Sequence, residues 1–212
     1  QNIIKINLRP TFLLQDLIRY TIIKQTNINI IMNLKRPFVP ISIALITISD
    51  TRGFQNDKSG NLLKEKILIS GHKVFQRKIV RDEIIDIQNQ VKSWLKEKKL
   101  DVIISTGGTG LTGRDVSPEA FRPLFDKEIE GFGELFRYLS FKKIGTSTIQ
   151  SRALAGVAKG KYIFVLPGSP SACKDAWDEI LVHQLDFRNM PCNFVEIIPR
   201  LLESEIGRKG KS

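Results

Sequence analysis

Apolar residues fall in short runs separated by polar turns, and the period of the runs alternates along the chain. Ile41-Ser42-Ile43-Ala44-Leu45-Ile46-Thr47-Ile48 is nearly continuous, the pattern of a strand covered on both faces of a parallel sheet. A polar loop from Asp50 to Gly60 follows. A helix then carries Leu62, Leu63, Ile67 and Leu68, and Gly71 closes it. His72 to Val80 reads as a second strand, less apolar and so nearer an edge. Arg81-Asp82-Glu83 opens a helix whose apolar positions Ile84, Ile87, Val91, Trp94 and Leu95 recur at helical spacing. Val102-Ile103-Ile104 is a third strand. Ser117-Pro118-Glu119 predicts a helix start, with Ser as the cap and Pro at the first helical position. Phe121, Leu124 and Phe125 form its stripe. Residues 130–141 predict mostly helix, 145–151 a turn-rich connection, and Ser151 to Gly156 another helical turn. Tyr162 to Leu166 is a late strand. Pro167-Gly168-Ser169-Pro170 turns it into a helix through Trp177 and Ile180. Strands alternating with helices predict an α/β fold with right-handed crossovers, in one domain over roughly 38–200.

Composition narrows the picture. The 212 residues suffice for one α/β domain with a real core. No apolar run approaches the roughly 20 residues that span a bilayer. Cys173 and Cys192 are far apart and lack metal-type spacing, which favours reduced thiols and a cytoplasmic protein. The net charge of +11 suits solubility and attraction of anions. The basic residues are scattered, with no zinc finger, aromatic-basic RNA signature or helix-turn-helix pattern, which argues against nucleic acid. Residues 1–31 hold a single acid, Asp16, and precede Met32. We expect Met32 to be the native start and 1–31 an upstream extension; a transit peptide is the alternative. Residues 201–212 read as a basic tail.

The chemistry concentrates where strands run into turns. After Val102-Ile103-Ile104 comes Ser105-Thr106-Gly107-Gly108-Thr109-Gly110, then Gly113-Arg114-Asp115-Val116-Ser117-Pro118. Missing side chains at Gly107, Gly108 and Gly110 permit positive φ and close approach of a ligand to backbone N–H groups. Alone, the loop reads equally as a tight strand-to-helix turn and as a phosphate cradle. It lacks the Gly-Lys-Ser/Thr of a P-loop and fails the dinucleotide pattern. The second turn, Pro167-Gly168-Ser169, would open on the same crevice. Ser169 can cap its helix as well as donate a hydroxyl. Asp50, Asp57, Asp82 and Asp115 each follow a strand or start a helix on one side of the sheet; Asp57 and Asp82 also suit helix caps. Acids beside a phosphate site suit Mg²⁺, which takes one or two carboxylates, waters and phosphate oxygens. Arg114 and Arg152 could offset phosphate charge. His72 and His183 read as structural or solvated. Phe132, Phe136, Tyr138 and Phe141 read as core or as a subunit interface.

Thr106-Gly107-Gly108-Thr109-Gly110, Arg114 to Ala120 and Pro167-Gly168-Ser169-Pro170, in that order, resemble the MoaB/MogA molybdopterin-binding domain family. The resemblance spans about Ile41 to Phe194. Residues 130–134, 144–153 and 188–194 look closest to its MoaB branch. The family implies a three-layer α/β sandwich with a mostly parallel central sheet, assembled as a trimer or hexamer. It also implies adenylylation of molybdopterin by ATP with Mg²⁺, before metal insertion and handover to other molybdenum cofactor enzymes. On that resemblance Asp82 and Asp115 are the catalytic acids, with Asp57 a third Mg²⁺ ligand. Asp50, Thr106 to Gly110, Arg114, Ser151, Arg152, Pro167, Gly168 and Ser169 bind nucleotide or molybdopterin. Some bacterial MoaB relatives look inactive, with their acidic positions partly replaced; here Asp82 and Asp115 are present and Asp50 and Asp57 match acids of active members, with a non-catalytic molybdopterin-binding protein as the alternative. The related domain of competence/damage-inducible proteins is a third reading.

Overall fold

The computed structural model describes residues 36–203. Its six strands are β1 (Ser42–Ile48), β2 (Lys73–Val80), β3 (Val102–Thr106), β4 (Lys127–Glu128), β5 (Leu154–Ala158) and β6 (Lys161–Leu166). They form one sheet in the order β2-β1-β3-β6-β5-β4. β2, β1, β3 and β6 are parallel, whereas β5 and β4 add an antiparallel edge. The more polar β2 lies at the other edge, as its composition predicts.

Every residue of β3 and β6 is buried, because helices cover both faces. Ile43, Leu45, Val102, Ile104 and Phe164 point into one core. It is roofed by α1 (Lys58–Ile69), α4 (Glu130–Ile144) and α5 (Pro170–Ala176). Ala44, Ile46, Ile103, Ile163 and Val165 point into the other, under α2 (Ile84–Leu95) and α3 (Ser117–Phe121). Three layers result, the α/β sandwich that the family resemblance implies. After α5 the chain continues helically through Trp177–Leu181, a π-type turn. Among the described residues no helix is long and apolar enough to cross a membrane. The expectations for residues 1–31 and for most of the basic tail lie outside the described residues.

Two local expectations are corrected. The stretch read as a helical turn from Ser151 to Gly156 contains the start of β5, which pairs Leu154 with Val165 and Gly156 with Ile163. Short Ala- and Gly-rich segments carry little intrinsic preference, and pairing decides. Gly156 marks the place: a side chain there would collide with the Phe125 ring. The helix after Ser117 is also shorter than its apolar stripe suggested. It gives way at Pro123 to a 3₁₀ turn, Arg122–Leu124, as proline in a helix interior requires.

Candidate functional site

β1 leads outward to β2, and the chain then returns to β3 on β1's other side. A crevice opens at such a reversal, beyond the carboxyl ends of the strands. The loops after β1, β2, β3 and β6 meet there. Gly107 (φ 105°) and Gly108 (φ 63°) are both in the left-handed region, where other residues are strained. A side chain on Gly107 would also strike the carbonyl of Ile48 at the end of β1. Ser117, expected as a helix cap, instead donates its hydroxyl to Gly107 O at 2.7 Å and its N–H to Gly108 O at 2.9 Å. Thr106 is buried and donates its hydroxyl to Pro167 O at 2.9 Å, which ties the first glycine turn to the second. Gly107 donates its N–H to Leu166 O. The N–H groups of Gly108 and Thr109 go to no acceptor among the described residues.

The four acids separate. Asp57 is fully buried. It caps α1 by accepting Gly60 N–H at 3.0 Å and accepts further bonds from Thr47 Oγ1 at 2.6 Å and Arg77 Nη2 at 2.8 Å. Burial pushes its pKa up, but those bonds outweigh it and hold the carboxyl below the ordinary value. The cap expectation therefore holds. The residue is absent from the lining of the crevice, so the structure gives Asp57 a structural post, away from the place foreseen for a metal ligand.

Asp82 was expected to cap α2 and does not. Glu83 occupies that position, with no side-chain cap bond. Asp82 Oδ2 instead accepts Asp50 N–H at 2.9 Å, and Asp50 Oδ1 accepts Asp82 N–H at 3.2 Å. Asp82 Oδ1 lies toward Gly108, 3.1 Å from where a Cβ would stand. Burial, then the charge of Asp50, raises its pKa. Asp115 Oδ2 accepts both N–H (2.9 Å) and hydroxyl (2.6 Å) of Thr112. Burial raises its pKa, but these bonds prevail and lower it.

The two arginines expected at phosphate are otherwise engaged. Arg114 grips Asp50 Oδ2 through Nη2 (2.6 Å) and Nε (3.1 Å), and Glu83 through Nη1 (2.8 Å). That hydrogen bonding lowers the Asp50 pKa. Arg152 donates to Gly110 O at 2.8 Å and Asp115 O at 2.7 Å, and pairs with Glu119. It staples the glycine loop from outside.

Asp82, Asp115, Gly107, Gly108, Thr109, Gly110, Ser151, Pro167, Gly168 and Ser169 line one cleft of about 520 Å³. Ser169 also caps α5, accepting Ala172 N–H at 3.3 Å. Ser151 Oγ is buried with no partner among the described residues. Asp50, Thr106, Arg114 and Arg152 support these groups without lining the cleft. Sequence reasoning missed Arg52 from the loop after β1, and Phe136 and Ser140 from α4. Ser140, a lone small polar residue among aromatics, was a signal for α4; Arg52 offered none beyond sitting two residues from Asp50. A second cleft of about 560 Å³ adjoins at Ser151 and carries both Arg122 and Glu128, already paired with each other at 3.0 Å. His72 is structural, as expected. It is buried and accepts Ile41 N–H at 3.3 Å on Nδ1, and burial lowers its pKa.

Fold and site define an α/β domain with a crevice lined by two glycine turns at its topological switch point. The family model described as "Probable molybdopterin binding domain" matches residues 44–186, and the chain belongs to that family. Molybdenum cofactor biosynthesis protein B of Escherichia coli (strain K12) is 50% identical over 157 residues, 74% of this chain and 92% of that protein. The protein of the same name from Staphylococcus epidermidis is 47% identical over 152 residues, 69% of this chain and 85% of its own. A crystal structure of molybdenum cofactor biosynthesis protein B superposes with a TM-score of 0.72 at 38% identity, covering 79% of this chain and 99% of that one. The tungsten cofactor synthesizing protein MoaB from Pyrococcus furiosus gives 0.62 at 38% identity, with 69% and 92% covered.

Proposed function

We propose that the chain serves molybdenum cofactor biosynthesis by adenylylating molybdopterin. A phosphate oxygen of molybdopterin attacks the α-phosphorus of ATP, the bond to the β-phosphate oxygen breaks, and pyrophosphate leaves. Family membership and the names of the relatives support the role. One observation carries the chemistry: partly buried Asp82 turns a carboxylate oxygen toward Gly108, in the glycine turn whose Gly108 and Thr109 N–H groups are spare among the described residues.

The acids fit Mg²⁺. Asp82 Oδ1 accepts no hydrogen bond from the described residues, and Asp50 and Asp115 both raise the Asp82 pKa by charge. A cation would relieve that repulsion. Among the described residues no group of three or more acidic, His or Cys side chains is poised around one point. Asp82 and Asp115 suit an ion that takes one or two carboxylates and completes its shell with water and phosphate. Mg²⁺ held by Asp82 and Asp115 would neutralise phosphate charge. The chain's own part is positioning: Gly108 and Thr109 offer N–H donors, Thr106 and Arg152 hold the loop, and Asp50 fixes Asp82. Charge neutralisation and alignment are what phosphoryl transfer chiefly needs.

The reading includes a cytoplasmic trimer or hexamer that hands its product to later enzymes of the pathway. The test is pyrophosphate release by the purified protein with ATP and Mg²⁺. Release that depends on added molybdopterin supports the reading. Molybdopterin binding with no release supports the non-catalytic alternative.

A further inference from the structure

Among the described residues, Arg52 is the one basic side chain lining the cleft that also holds the glycine turns and the acids. Its Nη2 donates to Gly168 O at 3.1 Å, and Ser59 Oγ donates to the same carbonyl at 2.6 Å. Gly168 in turn packs on Gly107: a Cβ on Gly168 would stand 3.2 Å from Gly107 Cα and 3.9 Å from Arg52 Nη2. The guanidinium thus lies where the two glycine turns touch. Asp82 and Asp115 lie by Gly108 and Gly110. The cleft carries its cation and its carboxylates at different glycines.

The charge of Arg52 is not spent within the protein. Buried Asp57 stands 3.7 Å from its Nη1, but the same carboxylate makes a 2.8 Å bond with Arg77. Two cations share one anion, so the trio keeps a net positive charge. Arg52 Nε–H meets no acceptor among the described residues. The arm is oriented in advance by Gly168 O, Ser59 and Asp57, which lowers the cost of fixing it when a ligand binds.

We propose that Arg52 is the cleft's phosphate contact, the residue that selects phosphorylated ligands and seats one phosphate at the junction of the two glycine turns. This deepens the adenylylation reading and rests on it for the identity of the substrates, because the phosphate belongs either to ATP or to molybdopterin. Arg114 and Arg152 then act on the acids and the loop, and Asp57 matters as the anchor behind Arg52.

Inorganic pyrophosphate without metal is the probe, titrated into the full chain and into Arg52→Gln, Arg52→Lys and Arg122→Gln. Thermal melts of each confirm folding. Charge-assisted hydrogen bonds of this kind predict at least about a tenfold loss of affinity in Arg52→Gln. Arg52→Lys should fall between, since it keeps the charge and loses the fork. Arg122→Gln, in the second cleft, should bind as the unaltered chain does. Equal affinity in folded Arg52→Gln, absence of pyrophosphate binding by the unaltered chain, or a loss confined to Arg122→Gln overturns the proposal. Turnover separates the two phosphates: the KM that rises in Arg52→Gln names the substrate seated there. Normal turnover with no Arg52 effect removes this inference and leaves the adenylylation reading intact. Pyrophosphate binding through Arg52 without any turnover does the reverse.

Discussion

At Asp57 the carboxylate is fully buried, yet three donors hold its pKa down. A depressed carboxyl contributes stability above its unfolded pKa and loses it as pH falls through the folded one. Asp57→Ala leaves Arg77 facing an empty cap, and breaking a buried pair costs about 3–5 kcal/mol; urea unfolding at pH 7 measures it, and the deficit should shrink in acid. Asp82 has the opposite sign. Its pKa is raised by burial and by Asp50, so its ionised form opposes folding once pH passes that value. Asp82→Asn should melt no lower than the unaltered protein at pH 7, with the difference closing below the carboxylate range, while turnover falls. Parallel melts at pH 7 and at a pH below the carboxylate range check this. The usual argument that Asn replaces Asp at a helix cap does not apply, because Asp82 caps nothing. Ser105 Oγ is buried with no partner among the described residues. Ser105→Ala should be neutral or stabilise by about 1 kcal/mol, read from the same unfolding curves.

Among the elements, strands with continuous apolar residues were legible from pattern alone. β1 and β3 have helices on both faces, so burial shows directly in composition. β5 was not legible: Leu154-Ala155-Gly156-Val157-Ala158 owes its strand state to pairing with β6 and to the Phe125 ring over Gly156. The glycine turn was legible as a turn, and Gly107 explains why it must be glycine. Gly107→Ala combines a left-handed φ with a clash at Ile48 O, and such strain costs about 1–3 kcal/mol. Differential scanning calorimetry should show the loss, together with weaker nucleotide binding. The acids could be nominated from their places after strands. Which of them meet depended on the reciprocal Asp50–Asp82 bonds and on the Asp57 cap, three-dimensional facts with no spacing rule behind them. Arg52 was invisible for the same reason, since its place in the cleft comes from Gly168, which lies 116 residues away.

The whole molecule presents an apolar band on α4 and just after it: Leu135, Tyr138, Phe141, Ile144 and Ile149 are all exposed. Burying such aromatic and aliphatic side chains is what subunit interfaces do, and the expected trimer or hexamer gives them a use. Tyr138→Glu with Phe141→Glu should shift the protein to a smaller species in sedimentation velocity without lowering its melting temperature by more than a few degrees. α4 also lends Phe136 and Ser140 to the cleft, so the exposed apolar band and the cleft share one helix. Adenylyl transfer is proposed for the crevice between β1 and β3, with Asp82 essential to it. Mass spectrometry of a single turnover with molybdopterin, ATP and Mg²⁺ tests it most directly. Adenylylated molybdopterin from the unaltered chain, and its disappearance in folded Asp82→Asn, is the predicted result. Bound but unmodified molybdopterin in the unaltered chain, or undiminished product in the variant, would contradict it.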